Sequence, residues 1–195
     1  MRPLILAVAG AALLYASVAA AQEAPTSKNK AGRDVGDAAA GPVGQTSAAT
    51  LGSVNTSAFV QNAARSDMYE IQAADLAQQK SQNSQVKDFA QMMAKDHMMT
   101  TQKLMAALPA GVAAPKDLDK RRQGMLDNLK NSSAGEFDKR YVTQQVNAHE
   151  EALTLLQGYS KRGDNAQLKQ LAAQTVPMVQ MHLTLAKALP GAPKK

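Results

Sequence analysis

From residue 57 to residue 190 the chain repeats one pattern: apolar residues three and four apart, interrupted at short clusters of Pro, Gly, Ser and Asn. Residues so spaced share one face of a helix, whereas a half-buried strand needs strict alternation, and no alternating run competes here. Ser57 is the expected N-cap of a helix ending near Lys80, and Ser84 that of a second ending near Leu108. The stretch from Pro109 to Pro115 stops the second helix, and a shorter helical segment, about Asp117 to Lys130, follows as a connection. Asn131-Ser132-Ser133 caps a third long helix from about Gly135 to Arg162. Gly163 ends it, and Asp164 caps a fourth that runs to about Leu189, kinked or loosened at Pro177.

The expected fold class is therefore all-α: a four-helix up-and-down bundle over residues 57–190, with a short extra helix in the long crossover between helices two and three. Short links make the first and last helix pairs antiparallel. The middle connection carries the chain back along the bundle, as in ferritin-like topologies. Hydrophobic residues make up 45% of the chain but aromatics only 4%, so the core must be built from Ala, Leu and Met.

The ends carry other information. Arg2 precedes an apolar run from Leu4 to Ala21, and Ala19-Ala20-Ala21 before Gln22 fits a small-residue cleavage pattern. Residues 1–21 are expected to be a signal peptide cut after Ala21, which sends the mature chain to the periplasm or outside the cell without a transmembrane segment. Residues 22–56 mix Gly, Ala, Ser, Thr, Asn and Lys without periodicity and are expected to be a disordered linker. Residues 191–195 form a basic tail. With no cysteine, disulfides, thiolate metal sites and a Cys nucleophile are excluded. The net charge of +6 is spread along the chain without a stacking platform of aromatics, which argues against nucleic acid and leaves an envelope component or another protein as the partner class.

The chemistry is concentrated in four ionisable residues, one on the apolar stripe of each long helix: Glu70, His97, His149 and His182. The three histidines are all that the chain contains. Glu70 stands about 12 residues before the first tight turn and His97 about 14 after it, so the two share a level. His149 and His182 stand about 14 and 18 residues from the second turn, an offset near one helical turn. These four are candidate ligands of one transition-metal ion (Zn, Fe or Cu), since imidazole suits all three and a carboxylate adds charge balance. Asp96 points about 100° from His97 and is a candidate support for a neighbouring imidazole, or a surface carboxylate. The alternative is an ion-free polar core, hydrogen-bonded internally or to Thr101, Gln145 and Thr175. Glu150-Glu151 is expected on a solvated face, and of the methionines on helix two only Met93 points into the core. No phosphate loop, nucleophile elbow or His-Glu-x-x-His is present.

Several segments carry a family resemblance: Asp67-Met68-Tyr69-Glu70-Ile71, the run Val86 to His97, Gly135 to Val142 with His149, and Leu168 to Ala172 with Pro177, His182 and Leu183. On these the chain resembles the exported bacterial family called domain of unknown function 4142, which is ferritin-like. The resemblance implies an envelope four-helix bundle and supplies no activity. Ferritin-type di-iron sites use two Glu-x-x-His motifs, but Val146 and Val179 stand three residues before His149 and His182. The resulting expectation is a non-enzymatic, metal-binding envelope protein acting in envelope stress or homeostasis. The alternatives are a metal-dependent oxidase or hydrolase, and a structural or partner-binding bundle without metal.

Overall fold

The computed structural model describes residues 55–194; the expected signal peptide and all but the last two residues of the expected linker lie outside that range. Five helices and no strand are present among the described residues: α1 (Thr56–Lys80), α2 (Ser84–Ala106), α3 (Lys120–Lys130), α4 (Ala134–Arg162) and α5 (Ala166–Ala188). The most extensive packing joins α1 to α2 and α4 to α5, and the two pairs meet through α1 against α4 and α2 against α5. The short α3 lies on α1 and α4.

Asparagines, rather than the expected Ser57, Ser84 and Asp164, cap three of the long helices. The side chain of Asn55 accepts from the Ala58 amide, Asn83 from Gln85 and Val86, and Asn165 from Leu168. Each lies one or two residues from the expected cap, and an Asn oxygen satisfies a first-turn N–H as well as Ser or Asp does. Ser133 caps α4 by position only; its hydroxyl turns to Glu136 instead. The helix α5 continues through Pro177.

The buried apolar residues fall into two clusters. One joins the C-terminal half of α1 (Tyr69, Ala73, Ala77) to the N-terminal halves of α2 and α4, the end of α5 and the inner face of α3. The other joins the start of α1 (Phe59, Val60, Ala64) to the ends of α2 and α4 and the start of α5. It follows that α2 and α4 run in the same direction, and the segment containing α3 returns the chain along their length. Between the clusters lies a layer of buried polar side chains: Asp67, Glu70, His97, Gln145, His149 and His182. Buried alanines at 73, 74, 77, 90, 172 and 186 let the backbones approach around it.

Lys80 fastens the crossover. Its ammonium donates to the carbonyls of Leu129, Lys130 and Ser132, the free carbonyl end of α3, and lies 5.7 Å from the centre of the Phe137 ring. Glu151, expected in solvent, instead accepts a two-pronged ion pair from Arg121 at 2.7 and 3.1 Å, tying α3 to α4. Leu185 stands three residues after His182, a spacing that would put it on the same inner face, yet it is 40% exposed, because the buried stripe of α5 runs through Leu168, Ala172, Val179, His182 and Ala186.

Tight packing at the α4–α5 turn makes one glycine irreplaceable. A Cβ on Gly163 would meet the Tyr159 ring at 2.6 Å, and that ring is stacked on Phe59 with centroids 4.0 Å apart. Gly163→Ala is expected to destabilise the domain by about 1–3 kcal/mol by overpacking. A Cβ on Gly124, inside α3, would meet nothing within 4 Å, so Gly124→Ala should stabilise by roughly 0.5–1 kcal/mol. Thermal or urea unfolding of the two variants checks both signs.

Candidate metal centre

The polar layer is assembled by position on the helices: Asp67 and Glu70 from the middle of α1, Asp96 and His97 from α2, Gln145 and His149 from α4, His182 from α5. The three imidazoles form a nearly equilateral triangle, with ring centroids 5.7, 5.6 and 5.5 Å apart. One nitrogen from each ring lies within 4.8 Å of the other two.

Their outer edges are all held by acceptors. The Nδ1 of His97 is 2.8 Å from Oδ1 of Asp67. The Nδ1 of His149 is 2.8 Å from the backbone carbonyl of Gln145, and Nε2 of His182 is 3.0 Å from Oδ2 of Asp96. Carboxylates and carbonyls only accept here, so each of these ring nitrogens carries the hydrogen. In the neutral ring the opposite nitrogen then presents a lone pair. Those opposite atoms, Nε2 of His97, Nε2 of His149 and Nδ1 of His182, are buried with no hydrogen-bond partner among the described residues.

Burial and charge separate the three rings. Burial alone would lower His97, but the hydrogen bond and charge of Asp67, joined by Glu70 and Asp96, outweigh it and raise the group above the ordinary imidazole range. His149 is pushed down to about 3, first by burial and then by the positive His97 beside it. His182 is lowered by burial, partly offset by its bond to Asp96. Burial lifts Glu70 to about 7, against the pull of His97 and Gln145. One ring of the cluster therefore takes a proton readily and two resist it.

Glu70 stands apart from the triangle. Its Oε2 accepts from the Gln145 side-chain amide at 2.6 Å, and its Oε1 lies 3.9 Å from Nδ1 of His149, the edge of that ring already bonded to the Gln145 carbonyl. The structure thus brings His97, His149 and His182 together and leaves Glu70 behind one of them. Asp96 reaches His182 of α5, not the adjacent His97.

Sequence reasoning missed Asp67. It lies one turn before Glu70 but is rotated about 60° toward α2, off the stripe that passes through Glu70. There it takes both His97 and the hydroxyl of Thr101, which also donates to the His97 carbonyl. A second carboxylate three residues from Glu70 was the available signal. Of the other polar residues considered, Gln145 serves Glu70, whereas Thr175 donates to the Leu171 carbonyl of its own helix.

Three buried imidazoles, all neutral once His97 gives up its proton and each oriented from behind by an acceptor, match the donor set that a three-histidine metal centre with one open position would need. Tetrahedral coordination at about 2.0–2.1 Å sets ligand nitrogens roughly 3.3 Å apart. From the 4.8 Å limit, each ring need move less than about 1 Å toward the centre. Asp67 and Asp96 together supply two negative charges to offset a divalent ion.

No curated protein and no solved structure matches the chain. A family model does: the one described as Domain of unknown function (DUF4142) matches residues 41–189, a range that contains all five helices. The chain belongs to that family.

Proposed function

We propose that this is an exported protein with a ferritin-like four-helix bundle that holds one divalent transition-metal ion on His97, His149 and His182. The observation that carries the reading is the convergence of three buried, unpartnered ring nitrogens whose opposite edges are all bonded to acceptors. An ion-free core would be expected to pair such atoms, because an unsatisfied buried polar group costs about 1–3 kcal/mol. Three of them, on rings whose centroids lie 5.5–5.7 Å apart, add to that cost. Imidazole ligands favour Zn, Cu, Fe or Ni, and a three-histidine set is a known zinc arrangement. Glu70 acts in this reading as a neighbouring charge behind His149 and not as a ligand. The site of action is the periplasm or envelope, on the strength of Arg2, the apolar run to Ala21 and the small residues before Gln22. A homeostatic or stress-related role there, binding rather than turning over a substrate, fits a centre enclosed between helices.

Titration with Zn or Co, read by calorimetry and elemental analysis, should give about one ion per chain in the wild type, as one three-histidine centre requires. His97→Ala and His149→Ala should each lose it. Asp67→Ala should weaken binding by about 10- to 100-fold by releasing the His97 ring. Glu70→Gln keeps the size of the side chain and should keep the stoichiometry. A wild type that binds no ion, or loss of the ion in Glu70→Gln, would contradict the assignment.

The proton balance gives a second check. An ion must displace a proton from any charged ring, and His97 alone has a raised pKa, while His149 is held near 3 and His182 is lowered. Affinity should therefore rise with pH by about tenfold per unit below the His97 pKa and level off above it, since one proton linked is 1.4 kcal/mol per unit. A limiting slope of three protons would mean that all three rings start charged.

Export is checked by the mass and N-terminal sequence of the protein recovered from the producing cells. The mature chain should begin at Gln22.

A further inference from the structure

A cavity lies between α1, α2, α4 and α5 on the side of the polar layer away from α3. It has about 50 Å³ of room for the centres of water-sized molecules. Its walls are Phe59 and Ala63 of α1, Leu104 of α2, Leu155 of α4, and Leu171 and Val179 of α5. Its polar end is formed by Asp67, His97 and Thr100.

The volume admits more than one water, for which about 10–15 Å³ suffices, yet it is a third of the roughly 150 Å³ that accommodates benzene. The lining decides the occupant. Water held in a buried space needs two to four polar partners, and most of the few polar groups lining this one already hold a bond within the protein. The Thr100 hydroxyl donates to the His97 carbonyl at 3.0 Å and the Thr175 hydroxyl to the Leu171 carbonyl at 2.8 Å. The Asp67 carboxylate is taken by His97 on one oxygen and Thr101 on the other. Apart from the Ser66 hydroxyl at its edge, the remaining wall is hydrocarbon and offers water nothing. Ala63, Ser66 and Ala152, partly exposed at the edge of the cavity, leave a way in past small side chains.

We propose that this cavity is a binding chamber for a small apolar molecule of diatomic size, such as dioxygen, held against the His97 side of the histidine cluster. The proposal stands on the shape and lining of the cavity and not on the presence of an ion. It adds to the metal reading a site for a second, uncharged ligand beside the centre.

Xenon is the probe. Saturable binding of one xenon per chain, followed by 129Xe NMR and located in crystals under xenon pressure, is expected with and without metal. Dissolved dioxygen should broaden the methyl resonances of Leu104, Leu155 and Val179 more than those of Leu129 in the other apolar cluster. Val179→Leu and Ala63→Val each add carbon to the walls and should weaken xenon binding at least tenfold while retaining the wild-type metal stoichiometry. If either variant fails to fold, the other carries the comparison, and the dioxygen broadening needs neither. Absence of saturable xenon binding, ordered water filling the space, or unchanged affinity in a folded filled variant would overturn the proposal. Elemental analysis of the same samples reports separately on the ion: xenon without metal sinks the metal centre alone, and metal without xenon sinks the chamber alone.

Discussion

The bond between Asp67 and His97 governs the polar layer. It crosses from α1 to α2 at 2.8 Å, within the most closely packed pair of elements besides α4 and α5, and fixes which nitrogen of His97 bears the hydrogen. Because the partner is a charged acceptor, it also outweighs the burial that would otherwise keep the ring neutral. That one positive ring then lowers both neighbours, since like charges a few ångströms apart in a poorly polarisable interior repel strongly. The protonation of the triangle thus follows from burial, which keeps two rings neutral, and from one carboxylate on a neighbouring helix, which charges the third.

Placing such a layer in the middle of the bundle divides what could have been one continuous core into two apolar clusters. Burying polar groups in this way adds little stability and often less than a well-packed apolar layer would. Each cluster must therefore be compact without it. The aromatics do that work at both ends: Phe59 stacks on Tyr159 in one cluster, and Phe89, Phe137 and Tyr141 pack together in the other. The Tyr69 hydroxyl donates to Gln144, which in turn donates to the Met125 carbonyl, so a polar chain also joins α1, α4 and α3. The few large rings are spent where they brace the ends, and small alanines leave room beside the histidines.

Helical periodicity made the helices, the crossover and the inward faces of the three histidines legible, because a 3.6-residue repeat converts spacing directly into direction. It carried less well where direction had to be known to within a fraction of a turn. Asp67 escaped notice because a 60° rotation takes it from the centre of the bundle to the α1–α2 seam, and Leu185 was placed inside although α5 is rolled to bury Val179 and Ala172. Glu70 was read correctly as buried, but the stripe could not show that Gln145, directly across from it, would take its carboxylate. Arg121 and Glu151 are far apart in sequence and meet only because α3 lies across α4, a matter of tertiary packing that no local pattern encodes.

The same geometry bears on why these histidines come from separate helices and not from one His-x-x-x-His turn. Two histidines on one turn would place both rings on a single helix. Three on separate helices each receive an acceptor from another segment or from their own preceding turn: Asp67 from α1, Asp96 from α2 and the Gln145 carbonyl from α4. Two of these bonds cross between helices, tying the His97 ring to α1 and the His182 ring to α2. An ion pulling the three nitrogens together would act on α2, α4 and α5 at once, and on α1 through Asp67, so the centre is placed where a small contraction reaches every long helix of the bundle.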